Sequence, residues 1–522
     1  MKRFILLVYI LLSGAILNAQ IPGHLDLSFG NNGNGKVMYD IGNLSNSISA
    51  MKFTTGGIVS AGTSSEWEGS TGFLLKTDFE GSIDNTFGTS GRVEFEFGGD
   101  NSYINDMVIL SDGRILVCGI SEEAGNYSIG LAKFTPSGQP DPLFGYSGTL
   151  IVDLGAYETA NSVILSNNKF LITGIYDNGE DTDVLVMRFL ANGSIDNSFG
   201  SNGKVIIDLN NNSEDAPRGM FFSNNKYIIA SYALHNDYDA IALLRLDTDG
   251  NFDSGFGLGG ISLYDGMQIM SGIIYAETSL AIDMQGRYYV SGRFEGIEGT
   301  DPVIIRFQAN GAPDNSYGEY GIALFNIPGN NSFRCLTIQL DGKILAAGGS
   351  SSSNNTSTLI HRSDVNGQPD PTFGFDNGYA IHELGEGTYS TDAANCILFQ
   401  YSNTRILLGG DANSVSDDSD ATISRYYTDL SINTNFAEIK HQIRAIVNPL
   451  NNAVIELKGI NNPGLNSVRI CSIDGKILYK GEADVISGET KIRLNHALSP
   501  GLYLIQLRDT DYSGSGKLLV TH

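Results

Sequence analysis

A Phe-Gly pair recurs along this chain at nearly even spacing, and that recurrence limits the fold more than any other feature. It stands at Phe29-Gly30, Phe87-Gly88, Phe144-Gly145, Phe199-Gly200, Phe256-Gly257, Tyr317-Gly318 and Phe373-Gly374, at intervals of 58, 57, 55, 57, 61 and 56 residues. A worn eighth mark lies 63 residues further on, at Asn435-Phe436. A fixed period of this size is the signature of a repeat architecture. It also sorts residues: what stands in every copy builds the frame, and only what differs between copies can be a single site.

One unit, residues 200–256, reads as four short strands and no useful helix. Residues 203–208 form a β-rich run, 219–222 and 227–231 form two more around Asn224-Asn225, and 240–246 lead into Asp249-Gly250 and the next mark. A two-residue link of this kind is a tight hairpin signal, because both residues tolerate positive φ. The same hairpin stands at Asp112-Gly113, Asn167-Asn168 and Asp341-Gly342. Four antiparallel strands cannot bury both faces alone, so the units must stack, and radial stacking gives a propeller with few exposed edges. The chain opens with a first-type strand, residues 35–40, that has no preceding blade, and leaves the repeats after 423–427 with none following. If such strands are outermost, the N-terminal one completes the last blade.

Eight residues before an Asp in each unit stands a cation: Lys76, Lys133, Arg188, Arg245, Arg306 and Arg362 precede Asp84, Asp141, Asp196, Asp253, Asp314 and Asp370. Asp26 fills the same slot at the start, and Arg425 occupies the cation position in the final repeat, where the Asp is lost. A constant offset points to a repeated charge-assisted hydrogen bond that pins the loop carrying the Phe-Gly. A ring of Arg gripping an anion is the functional alternative. The aromatic of each mark (Phe29, Phe87, Phe144, Phe199, Phe256, Tyr317, Phe373) is expected to wedge between blades, beside a Gly that permits a close turn.

The pattern Asp-x-x-Phe-Gly-x-x-Gly, as in Asp84-Asn85-Thr86-Phe87-Gly88-Thr89-Ser90-Gly91 and Asp196-Asn197-Ser198-Phe199-Gly200-Ser201-Asn202-Gly203, resembles the delta-sixty repeat of secreted bacterial proteins. The resemblance runs from residue 25 to about 436. It implies a propeller and brings no catalytic residue with it.

The ends point to export. Met1-Lys2-Arg3, an apolar run over 4–17 and Asn18-Ala19-Gln20 have the form of a secretory signal peptide cut between Ala19 and Gln20. The run is short of the roughly 20 apolar residues of a membrane span, so no transmembrane segment is expected. A net charge of −26 has the wrong sign for displacing counterions from phosphate, which argues against nucleic acid. Four cysteines make no disulfide framework. Cys118 stands where other repeats carry Ala61, Thr173, Ala230, Ser291, Ala347 and Gly409, and Cys335 and Cys396 hold equivalent places in adjoining repeats.

What varies between copies is one set of loops: 98–105, 154–161, 209–218, 266–277 and 385–392. Unlike loops on a rigid frame are where binding usually lives. They carry Tyr103, Tyr157, Tyr275 and Tyr389, and the single Trp, Trp67, lies between Glu66 and Glu68. Aromatics beside carboxylates suit stacking on a sugar, although exposed Tyr is also ordinary in β-rich secreted proteins. Asp177, Asp181 and Asp183 place oxygen ligands at alternating positions, as calcium prefers, but Thr182 and Arg188 stand where an EF-hand requires Gly and Glu. Asp237-Tyr238-Asp239 and Asp417-Asp418-Ser419-Asp420 occupy the same place in other repeats, and a plain solvated turn is the simpler reading of all three. The seven His show no zinc spacing, and there is no Gly-x-Ser-x-Gly turn or phosphate loop.

Beyond about residue 445 the period stops. Strand-like runs follow at 453–458, 467–473, 476–479, 491–494, 501–507 and 517–520, a pattern that suits an antiparallel sandwich. Asn448-Pro449, Val468-Arg469-Ile470 with Asp474-Gly475-Lys476, Leu498-Ser499-Pro500-Gly501-Leu502-Tyr503 and Lys517 resemble the type A C-terminal sorting domain of the type IX (Por) secretion system of Bacteroidota. Val447 replaces the usual aromatic before Asn-Pro. The resemblance implies passage through the type IX machinery to the medium or the outer cell surface.

The sequence thus predicts an all-β chain: a signal peptide (1–19), a seven-bladed β-propeller of four-stranded blades (20–436), a linker (437–444) and a small antiparallel β-sandwich (445–522). The expected role is a secreted or cell-surface binding protein for a polysaccharide or a surface protein, without a cofactor unless calcium binds. The opposing reading is a carbohydrate-active hydrolase or lyase using loop carboxylates.

Overall fold

A computed structural model of the chain describes residues 22–428, apart from 43–44, 67–68, 210–213, 236–237, 265–272, 297–298, 353–354, 375–376, 387–390, 401–403 and 415–417, and, further on, the strands lying between 444 and 520. The chain divides into two compact units, Ala19–Leu430 and a second containing Ser431–His522.

The first unit is a propeller of seven antiparallel blades. Blade 1 runs outward through Ser45–Thr54, Gly57–Glu66, Gly69–Thr77 and Arg92–Phe95, and the others repeat that order. Tight turns join the two inner strands of each blade. In blades 3 and 4 the turn residues Asn167, Asn168, Asn224 and Asn225 all hold φ between 51° and 61°, the left-handed conformation that asparagine tolerates and the strand twist demands. The strands of the unit used above extend further than the apolar runs: Ala216–Ser223, Lys226–His235 and Tyr238–Leu246.

Closure comes from the N-terminus. Lys36–Tyr39 is the outermost strand of blade 7, paired antiparallel to Ser419–Tyr427 with Val37 opposite Ile423. The seam between blades 7 and 1 is therefore packed like any other. Phe29 and Tyr39 lie buried with Ile48, Ile58 and Phe73 of blade 1 and Leu407 and Ile423 of blade 7. Elsewhere, Leu116, Leu131 and Phe144 of blade 2 pack on Val163, Phe170 and Phe189 of blade 3. Each marker aromatic sits in such an inter-blade cluster. Burying one contributes about 1.5–3 kcal/mol, so the ring is held by apolar seams rather than by any one blade.

The repeated charges tie the same seams. Arg188 Nε lies 2.6 Å from Asp196 Oδ2, Arg245 2.9 Å from Asp253, Arg306 2.8 Å from Asp314 and Arg362 2.8 Å from Asp370. Lys76 and Lys133 pair with Asp84 and Asp141 at 2.8 and 3.4 Å. Each guanidinium also lies over its own marker ring, as Arg306 does over Tyr317 at 4.7 Å. It then donates to a turn carbonyl of the next blade: Arg245 to Ala309 O at 2.8 Å, Arg306 to Val365 O at 2.6 Å, and Arg188 to Thr248 O. Arg425, which lacks an Asp in its own repeat, takes Asp26 from the N-terminus at 3.0 Å. The worn last repeat and the bladeless first mark are two halves of one pair.

The marker Gly is required by geometry. Gly200 holds φ +52°, its N–H donates to Asp249 O of the next blade at 2.8 Å, and an added Cβ would stand 2.4 Å from Lys204 O. The N–H of Gly374 makes the corresponding bond to Pro22 O at 2.9 Å, so the seventh mark also reaches the N-terminal segment.

Beyond the propeller, Arg444–Asn448, Asn451–Lys458 and Glu489–Arg493 form one antiparallel sheet. Ile477–Val485, Gly464–Ser472, Gly501–Arg508 and Ser513–Val520 form another. Among the described residues no helix is long and apolar enough to cross a membrane.

Candidate functional site

The strand order places the hairpins and Phe-Gly turns at one end of the blades. The connectors between blades and the turns between second and third strands lie at the other. Several residues expected in the varied loops stand instead in strands. Tyr103 belongs to the innermost strand of blade 2, Asn101–Ile109, and Tyr275 to that of blade 5, Ile273–Ile282. Tyr157 opens a short strand, Tyr157–Glu158, paired with Asp177 and Tyr176. The connectors are shorter than the varied sequence suggested, because polar residues continue the ladder of the inner strands. Tyr103 and Tyr275 hold equivalent register positions, opposite Ile120 and Arg293. Trp67, Tyr389, Asp237, Asp417, Ala19, Gln20 and the mark at Asn435-Phe436 lie outside the described residues.

Tyr157 makes an aromatic pair with Tyr127 of blade 2, ring centroids 4.7 Å apart and 37° between planes. Tyr157 is 38% exposed, so the pair presents ring surface across the seam between blades 2 and 3. Tyr127 escaped notice in the sequence because it opens a regular strand, Asn126–Phe134.

Near Tyr157 on blade 3, carboxylate oxygens of Asp181, Asp183 and Asp208 lie within 4.8 Å of one another. Burial, then Asp181 and Asp208, push the Asp183 carboxyl above its ordinary range. Asn178 Nδ2 donates to Asp181 Oδ1 at 2.6 Å. Asp177 is not in this group; its Oδ1 accepts from Gly179 N at 2.8 Å, which makes it a turn residue. Asp208, at the end of the outer strand and distant in sequence from the loop, replaces it. Calcium takes six to eight oxygens, and these three carboxylates are the metal-ligating side chains that the described residues bring together here.

A row of buried polar residues caps the connectors, and no constant sequence spacing announces it. Phe97 N donates to Ser102 Oγ at 2.9 Å, Leu154 N and Ala156 N to Glu158 Oε1 at 3.2 and 2.9 Å, and Leu209 N to Asp215 Oδ2 at 2.7 Å. Leu384 N and Gly385 N converge on Asp392 Oδ2 at 2.5 and 2.8 Å. These acids serve the backbone and belong to the frame.

Around the axis, the innermost strand of six blades carries a bulged residue: Ser49, Asn105, Asn161, Arg218, Arg334 and Asn395. Such bulges re-aim a side chain out of the ladder. Several reach the next blade. Asn105 Nδ2 donates to Ala160 O and Asn161 Nδ2 to Pro217 O, each at 2.9 Å. Arg334 Nη1 donates to Asn395 Oδ1 at 2.9 Å, and Asn395 Nδ2 to Ile48 O at 3.1 Å. Beside this belt Ser47 Oγ donates to Asp411 Oδ1 at 2.9 Å, and burial pushes the Asp411 carboxyl up to about 6 against the opposing pull of Arg334.

Cys118, Cys335 and Cys396 are free thiols, and burial raises all three. The buried Arg-Asp pairs are mutually satisfied, so those arginines serve the seams.

Five stretches of the chain, 110–144, 165–199, 223–256, 286–317 and 339–373, match the family described as domain of unknown function (DUF5122) beta-propeller. Each match ends on the aromatic of a Phe-Gly mark. No curated protein matches the chain. Among solved structures, polysaccharide lyase Uly1 superposes with a TM-score of 0.46 at 10% identity, over 75% of this chain and 92% of that one. Prolyl oligopeptidase B from Galerina marginata gives 0.36 at 10%, over 88% and 55%, and the Bombyx mori GH32 β-fructofuranosidase BmSUC1 gives 0.26 at 10%, over 80% and 86%. Likenesses this distant carry no argument about chemistry. The chain is a propeller repeat protein, and its function has to be argued from its own residues.

Proposed function

We propose that this chain is an exported binding protein that holds a polysaccharide on the connector face of its propeller. The observation that carries the reading is the Tyr127–Tyr157 pair, exposed across a seam on the face where the blades differ. Ring faces exposed in this way offer an apolar surface of the kind a sugar ring covers, and the neighbouring Asp181 and Asp208 accept hydrogen bonds from hydroxyls. The signal peptide and the sorting-domain resemblance, with the tail as a sandwich recognised by the type IX machinery, supply the route to the cell surface.

Glycan-array binding by the chain from Gln20 tests it. Tyr157→Ala removes one ring, worth about 1 kcal/mol of aromatic contact beyond area, and should weaken binding by roughly five-fold. Unchanged binding by Tyr157→Ala and Trp67→Ala together would refute the chosen face. For the route, a reporter carrying residues 1–19 at its N-terminus and residues 445–522 at its C-terminus should leave a cell that has the type IX system and stay inside one that lacks it.

A second reading, a carbohydrate-active hydrolase or lyase, draws on Asp411. A carboxyl held near 6 suits a general acid, and Arg334 and Asn395 stand beside it. Turnover of a polysaccharide panel abolished by Asp411→Asn would establish that reading, and no turnover on any substrate would remove it.

A further inference from the structure

The axial belt changes character at blade 4, where it holds a cation with no anion among the described residues. Of the bulged positions with long side chains, Asn105, Asn161, Arg334 and Asn395 each bond to a neighbour. Arg218 holds the same position and makes no hydrogen bond or ion pair among the described residues. Its Nε is shut off from solvent and unpartnered, while the residue as a whole remains partly exposed. The next blade departs from the common ladder here too, with its register broken between Ala276 and Leu280. Every recurring Arg of the frame has a carboxylate, whereas this one, at a position that varies between copies, has none among the described residues.

We propose that Arg218 is the anchor for a carboxylate- or sulfate-bearing sugar that binds at the axis of the propeller. A buried, unpaired guanidinium donor is costly, and an anion that meets it repays that cost. The planar fork of arginine matches a carboxylate or sulfate with two parallel bonds. On the side of blade 3 the belt continues through Asn161 and then Asn105, short neutral groups suited to sugar hydroxyls. Tyr103 stands two residues before Asn105 on the same innermost strand. The net charge of −26 repels polyanions at a distance, but at 0.15 M salt that field is screened beyond about 8 Å, so a local cation decides binding. The inference rests on the polysaccharide reading above and adds the charge of the ligand.

Calorimetric titration of the chain from Gln20 at 0.15 M salt tests it, with oligogalacturonate, a sulfated galactan oligomer and a neutral hexose oligomer of equal length. One or both anionic oligomers should bind, Arg218→Gln should weaken that binding at least tenfold, and Arg218→Lys should weaken it less. Arg92→Gln, at an exposed rim cation paired with Glu94, should leave it unchanged. Thermal melting of each variant separates lost binding from lost folding. Binding of the anionic oligomers that Arg218→Gln leaves intact would overturn the anion site. Binding of the neutral oligomer alone would overturn it while leaving the polysaccharide reading standing, and no binding of any probe would defeat both.

Discussion

The single residue that decides most locally is the cation paired with the loop Asp, an arginine except where Lys76 and Lys133 stand, since one guanidinium closes its own loop, covers its own marker ring and reaches the next blade. Arg306 and Arg362 are 2% and 1% exposed, so removing either leaves a buried carboxylate to be satisfied by something else. Asp196 and Asp370 each have a second cation, Lys169 at 2.6 Å and Lys343 at 2.9 Å. For Asp314 no second salt bridge is recorded among the described residues, because Arg287 is taken by Asp283. Arg306→Ala is therefore expected to cost about 3–5 kcal/mol in denaturant unfolding, and Arg188→Ala measurably less. The same pairs set the acid limit. Asp26 and Asp370 are held at about 2 by their hydroxyl and cation partners against the cost of burial. A folded-state value below the unfolded one gives stability that is full above about pH 4 and lost as pH falls toward 2. Asp411 has the opposite sign. Burial holds it up near 6, so its charge weakens the fold above pH 6, and that penalty is relieved as pH falls toward 4. Melting curves should show Asp411→Asn raising the melting temperature at pH 8 and having little effect at pH 4.

At the scale of the element, the recurring turn is a unit of backbone geometry. Gly200 and its equivalents combine a left-handed φ with a carbonyl where a Cβ would stand, so Gly200→Ala is expected to lose at least about 1 kcal/mol of stability, read as a lower denaturation midpoint. These turns were legible from sequence because they recur at one offset, as were the hairpins with Asn167-Asn168 and Asn224-Asn225. The connector caps were not. Ser102, Glu158, Asp215 and Asp392 do one job with three residue types, at 15, 14, 16 and 19 residues beyond their marks, and a shared role without shared identity or spacing leaves no pattern. The placement of Tyr103 and Tyr275 was misread for a related reason. Polar residues around an inner strand read as loop, yet backbone pairing continues through them to the second strand of the blade.

For the whole molecule, repetition revealed the ring and concealed the site. The repeat gave the blade count and the need for a donor strand from the N-terminus, but the pairing of Asp26 with Arg425 depends on two residues 399 positions apart and needed coordinates. Asp208 likewise joins Asp181 and Asp183 only through the fold, and Arg218 is conspicuous only because Asn105, Asn161, Arg334 and Asn395, at the same position in other blades, each bond to a neighbour. The proposed binding sites are departures from symmetry: the Tyr127–Tyr157 pair, the acidic group of blade 3 and Arg218, which has no partner among the described residues. All of these presuppose a closed ring, in which the segment leading from Pro22 to Tyr39 supplies the mark that serves the last blade, Phe29-Gly30, and its outer strand. Hydrogen exchange of the amides of Lys36–Tyr39, compared with the internal outer strands Arg92–Phe95 and Lys204–Ile207, tests that closure directly. Protection equal to the internal strands is the expected result, and exchange at the rate of an unstructured N-terminal tail would contradict it.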